Sequence, residues 1–367
     1  MVIKRFSARG FRNIESFDIS VSPGVNLLFG KNAQGKTNAI EGIYLFARGK
    51  SFRAREDKEL LGFGNEGFRL SLEYRDADGL QTVEYASFGR EKRRKKNGYP
   101  VRSVKEMIEG FRAVLFSPDD LRMVKDSPDV RRAFLNVAIG QINKIYIDDY
   151  ARYKTALENR NCLLKNAQKT GYLDIKEIES WSYSMAEYAA RIMIARAQYS
   201  KKLELYANSV VFDISGGNET LTMRYESDIS DGIADVEEIK NEYYRLLTEN
   251  IEKERCAGVT LYGVHRDDLE IFINGASARS FASQGQQRSV VLALKIAEGE
   301  VCREMIGEYP VYLFDDVLSE LDEKRKSYVL SRLTDKQIII TSCERDALST
   351  PADLTIEVDG GKYMPMV

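Results

Sequence analysis

The sequence predicts an α/β protein in which a mixed-sheet lobe is assembled from both ends of the chain around a largely helical insertion. Three observations carry this. Residues 30–37 read Gly-Lys-Asn-Ala-Gln-Gly-Lys-Thr, a phosphate-binding loop between an apolar run and a helix. Residues 310–316, Pro-Val-Tyr-Leu-Phe-Asp-Asp, are an apolar strand ending in two carboxylates near the other terminus. Between them the composition turns helical, with no proline from Pro128 to Pro310. One site drawn from such distant segments requires the chain to leave the first lobe, build another and return.

The first part reads as strands. Val2–Ala8 and Phe17–Val21 alternate with a period of two, and Gly24–Phe29 is a mostly apolar run entering the loop. Thr37–Ala47 is predicted helical, with Ile40, Ile43, Tyr44 and Leu45 on one side. Phe68–Tyr74 and Gln81–Phe88 are expected to pair through the turn at 76–79. The basic run Lys92, Arg93, Arg94, Lys95 and Lys96 ends in Asn97-Gly98, a preferred type I′ pair. That run is either a solvated hairpin tip or a nucleic-acid contact.

The middle segments Asn136–Asn166 and Asp174–Val211 have helical spacing, and Gly171 lies in the break between them. An antiparallel helical pair is expected. Tyr146, Tyr150, Tyr153, Trp181, Tyr183 and Tyr188 are read as its packing face. Strands return after Cys256, with Leu269–Ile273 running into the hairpin signal Asn274-Gly275. A helix over Ser289–Met305, strands at Tyr312–Phe314, Gln337–Thr341 and Leu354–Val358, and a helix over Glu323–Leu333 complete the chain. Lobe boundaries are placed at 1–117, 118–305 and 306–367.

At 367 residues the chain is long enough for two or three folding units, and 43% hydrophobic content supplies their cores. Lys and Arg number 54 against 56 Asp and Glu, so any phosphate-backbone binding must come from local patches. The four cysteines, Cys162, Cys256, Cys302 and Cys343, are widely spaced and argue against a zinc site or a disulfide framework. No apolar run approaches the ~20 residues of a membrane span. The N-terminus has no signal-peptide core. A reduced, cytoplasmic protein is expected.

The loop glycines let backbone N–H groups converge on phosphate oxygens. Lys36 brings a fixed positive charge to the β- and γ-phosphates of ATP, and Thr37 offers its hydroxyl to Mg²⁺, while the following helix points its positive end at the anion. Asp315 is read as the second Mg²⁺ group and Asp316 as the base orienting an attacking water. Ser283-Gln-Gly-Gln-Gln-Arg288 opens a helix and forms a second anion site, although an ordinary Ser283 cap is the simpler reading of that segment alone. His265 is the only histidine and is read as structural.

Taken together, these motifs resemble the head of an ABC-type ATPase. Within that class the chain is similar to the RecF family of bacterial replication-repair proteins, which are related to SMC heads. Phe11-Arg12-Asn13, Ser117-Pro118-Asp119-Asp120-Leu121, Arg131–Asn136, His265–Leu269 and Ser283–Arg288 carry the likeness. Asp126 and Val264 stand where the family usually has Gly and Pro.

The resemblance implies roles. Arg12 and Asn13 would line the nucleotide beside the loop formed by Gly30, Lys31, Asn32, Ala33, Gln34, Gly35, Lys36 and Thr37, with Asn38 behind it. Ser283, Gly285 and Gln286 would touch the γ-phosphate of ATP held by a second protomer, and Asp322 would lie across that interface. Thr341-Ser342-Cys343 occupies the place of the usual switch histidine, which implies slow turnover.

The expected function is an ATP-gated dimer that binds gapped or junction DNA and promotes recombinase loading together with RecR and RecO type mediators. Lys92–Lys96, Arg131 and Arg132 would be the phosphate contacts. Three alternatives fit the sequence less well. A transporter ATPase subunit lacks the long helical insert and the Arg-rich block. An SMC-type scaffold needs far longer arms. A small-molecule kinase has no need of the second anion motif.

Overall fold

The structure, a computed structural model, describes residues 1–89, 91–229, 235–348 and 350–366. Strands β1 (Val2–Phe11), β2 (Ile14–Ser20) and β3 (Val25–Phe29) lead into helix α1 (Lys36–Arg48). Next come β4 (Gly67–Asp76), β5 (Gly79–Phe88), β6 (Glu91–Lys96), β7 (Tyr99–Pro100), helix α2 (Val104–Ile108) and β8 (Ala113–Phe116). Helices α3 (Arg122–Lys125), α4 (Pro128–Ile142), α5 (Lys144–Thr170) and α6 (Ile175–Ser215) follow. Then β9 (Leu221–Glu226), α7 (Val236–Glu249), α8 (Ile251–Ala257), β10 (Asp268–Ile273), β11 (Ala276–Ser277) and α9 (Ala278–Phe281) are formed. The chain ends with α10 (Gln284–Ile306), β12 (Val311–Asp315), α11 (Glu323–Arg332), β13 (Ile338–Ser342), β14 (Leu354–Asp359) and β15 (Lys362–Met366).

These elements divide into two compact units. One comprises Met1–Leu121, Asp213–Gly217 and Arg288–Val367, and the other Arg122–Phe212 and Asn218–Gln287. The boundaries expected after 117 and 305 therefore move. The physical reason lies in α10, which from Arg288 onward is cemented into the first unit. Val290, Val291, Leu292 and Ala293 are buried, and Lys295 is ion-paired to Asp120 at 3.0 Å.

The first unit holds two sheets. One has the order β15-β14-β3-β13-β12-β8 and is parallel except for β15. Its strands are apolar on both faces, as a covered parallel sheet requires: Leu27, Leu28, Ile338, Ile339 and Ile340 are all buried. N-terminal β3 lies between C-terminal β13 and β14, so the two ends of the chain interleave in one core. The other sheet, β2-β1-β4-β5-β6-β7, is antiparallel. Its strands alternate, with Phe6 and Ala8 inward and Arg5, Ser7 and Arg9 outward. Asn97 and Gly98 both adopt positive φ, 51° and 80°, as a type I′ turn demands.

The second unit is mostly helical. The single helix expected over Asn136–Asn166 is broken at Asn143, whose extended backbone ends α4 and whose side chain caps α5 by accepting from the N–H of Ile145 and Tyr146. Periodicity could not show this, because Asn143 interrupts no apolar stripe. Helix α6 runs 41 residues, about 60 Å at 1.5 Å per residue. Tyr146 and Tyr153 are core residues, but Tyr183 is half exposed, so the aromatic face is only partly a packing face. Strands β9, β10 and β11 form the small sheet, with Asn274-Gly275 as its turn. No helix among the described residues is long and apolar enough to cross a membrane.

Candidate functional site

The phosphate loop connects β3 to α1, with strand β14 beside it. A Cβ on Gly30 would lie 2.1 Å from the carbonyl oxygen of Val358, so only glycine permits this approach. Gly35, at φ 117°, turns the chain into α1, and a Cβ there would meet the Asn13 amide at 2.7 Å. The loop is braced from outside. Asn13 donates to the Gln34 carbonyl at 3.0 Å, Gly361 N–H donates to the same oxygen at 2.9 Å, and the Tyr363 hydroxyl donates to the Gly35 carbonyl at 2.8 Å. The C-terminal β14–β15 hairpin thus supports the N-terminal loop.

Lys36 is almost fully buried and donates to the carbonyls of Gly30 at 2.6 Å and Lys31 at 3.0 Å. Its ammonium lies 3.7 Å from the thiol sulfur of Cys343, which in turn reaches Asn32 at 2.9 Å. Lys31, Asn32 and Ala33 are exposed at the rim of the loop. Ala33 has φ 65°, the left-handed conformation that aims successive N–H groups into one concavity.

The acidic strand arrives as expected at the base of the loop. Thr37 Oγ1 donates to Asp315 Oδ1 at 2.8 Å, and Thr341 Oγ1 donates to the same oxygen at 2.9 Å. Burial raises the Asp315 pKa, and these two hydroxyl donors partly oppose the rise. Asp316 has φ 54°, a strained conformation for a non-glycine residue, held by its N–H donating to Thr341 Oγ1 at 2.9 Å. The turn aims Asp316 away from the strand, leaving it partly exposed beside buried Asp315.

This donor set fits Mg²⁺ and a triphosphate. One hydroxyl and one carboxylate touch each other at the start of a helix, as an octahedral ion that keeps several waters prefers. The loop beside them has a concave N–H arrangement and one buried ammonium.

Asn13 contacts the loop through the Gln34 carbonyl, while neighbouring Arg12 is engaged elsewhere. Its guanidinium forks onto Glu41, with Nε at 2.9 Å and Nη2 at 2.7 Å, and Nη1 donates to the Glu59 carbonyl at 2.7 Å. Glu41 has no exposed surface and also accepts from the Ser51 hydroxyl. Sequence reasoning missed Glu41, although a carboxylate among Ala39, Ile40, Ile43 and Tyr44 was a visible anomaly. Arg12, Asn13, Asn38, Arg53, Leu61 and Phe63 line a cleft of about 690 Å³. Asn38 donates to Asn13 at 2.7 Å and accepts from Arg53 at 3.0 Å.

In the second unit, Ser283 and Gln286 form a reciprocal cap. Ser283 Oγ accepts from Gln286 N–H at 3.2 Å, and Gln286 Oε1 accepts from Ser283 N–H at 2.8 Å. Gln286 also donates to Glu219 at 2.9 Å. Ser283 remains exposed, and Gly285 is the second residue of α10 beside it. In the first unit, Asp322 caps α11 through Arg325 N–H and pairs with the Arg325 guanidinium.

Several expected DNA contacts are otherwise occupied. Arg131 is buried and forks onto Asp268 with two 2.7 Å bonds, so it is a structural ion pair and not a surface phosphate contact. Arg132 is held by Asp129 and the Asp267 carbonyl. On β6, Lys92 pairs with Asp57 at 2.5 Å, Arg93 with Glu91 at 2.8 Å, and Lys96 donates to the Glu109 carbonyl at 2.7 Å. Arg94 stacks over Tyr85, leaving Lys95 as the member of the run without a partner among the described residues. Local runs of charge say nothing about which side chains a strand turns inward.

Comparison with known proteins follows the geometry. The profile of the RecF/RecN/SMC N terminal domain matches residues 2–359. The DNA replication and repair protein RecF of Acetivibrio thermocellus is 36% identical, covering 99% of both chains. The RecF of Bacillus subtilis is 34% identical, covering 95% of each. A solved structure of the recombination mediator protein RecF with ATP, in the RecFOR pathway, superposes with a TM-score of 0.93 at 34% identity, covering 100% of this chain and 98% of that one. An Smc head domain from Pyrococcus furiosus superposes at a TM-score of 0.57 with 16% identity, which speaks for the fold alone.

Proposed function

The chain belongs to the RecF family, and on that premise we propose that it is an ATP-gated DNA-binding protein of replication and recombinational repair. In this reading ATP joins two protomers, and the dimer recognises gapped or junction DNA. Recombinase loading then proceeds with RecR and RecO type mediators. The observation that carries it is the contact of Thr37 with Asp315, which joins the two halves of the nucleotide site.

Bound ATP with Mg²⁺ supplies a phosphoanhydride and concentrated negative charge. Lys36 would exchange its two loop carbonyls for phosphate oxygens, with no change in its burial. Thr37 and Asp315 would hold the ion, Asp315 through water. Asp316 would orient the attacking water from its strained position. Ser283 and the N-terminus of α10, exposed and already preorganised by the cap, would meet the γ-phosphate held by another protomer. With Cys343 in place of a switch histidine, turnover would be slow, which suits a clamp released by hydrolysis.

The test is DNA binding with and without ATP, in the wild type and in Lys36→Ala. Binding that strengthens with ATP only in the wild type supports the reading. Affinity indifferent to both ATP and the substitution overturns the gating.

A further inference from the structure

The outward face of the antiparallel sheet has one row of positive charge that is largely unbalanced among the described residues. The register fixes the rows. Arg9 on β1 is the Cα partner of Ser16 on β2 and of Arg69 on β4. Arg69 opposes Ala86 on β5, which opposes Arg93 on β6. The row therefore reads Ser16, Arg9, Arg69, Ala86, Arg93 across five strands, about 19 Å at 4.8 Å per strand.

The neighbouring rows are matched in charge. Glu84 opposes Lys95, and Arg5 forks onto Asp18 with Glu73 as its cross-strand neighbour. In the first row the compensation found among the described residues is an exposed pair between Arg93 and Glu91 of the same strand. Arg9 and Arg69 are exposed, directly opposed, and make no ion pair or hydrogen bond among the described residues. Like charges directly opposite on a sheet destabilise it, so this pair costs the folded protein something and returns nothing within the chain.

We propose that the Arg9–Arg69 row, continued by Arg93, is a binding surface for the phosphate backbone of duplex DNA, resting on the DNA-binding reading above. Two opposed guanidiniums can fork onto phosphate oxygens between them. A duplex lying along the row passes roughly five base pairs at 3.4 Å each. Ser16 ends the row, and Ser7 and Ser71 fill the next row between the strands of Arg9 and Arg69, so small side chains flank that pair on those sides and leave a sugar-phosphate strand room to approach it; Ala86, between Arg69 and Arg93, is buried. The row itself has no apolar or aromatic anchor of the kind that holds a protein partner, and the exposed Phe88, two residues along β5 from Ala86, lies outside it. Contacts made to phosphate oxygens carry no base information, so binding at this row would be insensitive to sequence. The DNA surface thus shifts from the run on β6, whose members are mostly engaged, to a row that only the strand pairing creates.

The experiment measures duplex affinity in the presence of ATP as a function of salt, for the wild type, Arg9→Gln/Arg69→Gln, and Arg75→Gln, an exposed arginine on β4 outside the row. The double variant should bind roughly tenfold or more weakly, and the slope of log affinity against log salt should shrink by about 2, one per lost phosphate contact. Its Tm should hold or rise, since the opposed charges are relieved, and Arg75→Gln should match the wild type. A double variant with wild-type affinity and slope overturns the row while the DNA-binding reading stands. Loss of binding to a mediator protein with DNA affinity intact also overturns it, in favour of an acidic protein partner. A wild type whose duplex affinity shows no salt dependence overturns both, and Lys36→Ala separately reports whether ATP gating is at fault.

Discussion

Thr37 Oγ1 donates to Asp315 Oδ1 at 2.8 Å across 278 residues of sequence. The same oxygen accepts from Thr341 at 2.9 Å, so the ends of β12 and β13 and the start of α1 meet on one carboxylate. Thr37→Val removes the hydroxyl and leaves the acidic strand in place. ATP with Mg²⁺ should stabilise the wild type, by about 2.7 kcal/mol at a hundred times Kd. In Thr37→Val the stabilisation should be the same with Mg²⁺ or with a chelator present. A thermal shift series with the two conditions reads this directly, and a retained Mg²⁺ dependence refutes the assignment.

Glu41 has no exposed surface and accepts the Arg12 fork and the Ser51 hydroxyl. Glu41→Ala leaves the Arg12 guanidinium without its counter-charge next to the loop. The expected cost is about 3 kcal/mol, seen as a fall in the denaturant midpoint at unchanged slope. Glu41→Gln keeps an acceptor for Ser51 and should lose less. Equal losses in the two variants would mean that the charge, absent from both, and not the acceptor oxygen carries the contribution.

The nucleotide half of the site was legible because its chemistry is local. Eight consecutive residues form the loop, and two adjacent carboxylates end the strand. Their meeting was inferable because a phosphate loop calls for an acidic strand beside it, and this strand ends in two carboxylates. Glu41 and Thr341 were not found, since each acts through a partner far away in sequence. Arg131 was misjudged for the complementary reason: a basic block looks solvent-facing until Asp268, 137 residues on, is seen to take its guanidinium. The break at Asn143 escaped because a cap within a helical stretch changes no periodicity. Strand order, and with it the Arg9–Arg69 pairing, is a long-range property that no window of sequence contains.

Cys343 reaches both Lys36 and Asn32 and is exposed. Alkylation at this sulfur puts several atoms into the mouth of the loop. In a variant with Cys162 and Cys256 replaced by Ser, N-ethylmaleimide should abolish the thermal shift given by ATP, and ATP added first should slow the labelling at least severalfold. Unchanged ATP stabilisation after complete labelling, read by mass, would place the phosphates elsewhere.

His265 is packed against Tyr153, with Nδ1 2.7 Å from the phenol oxygen, and burial pushes its pKa down to about 4. The unfolded chain, with an ordinary value near 6.5, binds the proton first. Stability therefore rises with pH between about 4 and 6.5 and is lost as pH falls through that window, by up to about 3 kcal/mol. Asp267, raised to about 6 by burial, acts with the opposite sign over much of the same range. The informative quantity is thus the difference between wild type and His265→Gln. The wild type should lose stability relative to the variant between pH 7 and pH 4.5, measured from denaturant midpoints. A difference that stays constant with pH would show that the imidazole titrates normally.

Ser283 caps α10 and, in the proposed reading, also meets a phosphate held by another protomer, two roles that a pair of substitutions can separate. Its hydroxyl and the Gln286 amide cap α10 reciprocally, which is worth about 1 kcal/mol. Its exposure leaves room for the second purpose, contact with a phosphate held by another protomer. Ser283→Arg removes the cap and places a long side chain at the helix N-terminus, so a loss of dimer could in principle reflect either. Ser283→Asn keeps a capping oxygen and replaces only the exposed hydroxyl, so it reports the loss of that hydroxyl with the cap in place. Sedimentation with and without ATP should show dimers in the wild type, dimers of reduced affinity in Ser283→Asn, and monomers in Ser283→Arg. ATP should still raise the Tm of Ser283→Arg, because the loop, Lys36 and Thr37 belong to the protomer's own site. An Arg variant that dimerises on ATP like the wild type sinks the composite site. One that no longer binds ATP at all would place Ser283 within the protomer's own nucleotide pocket and not in a neighbour's.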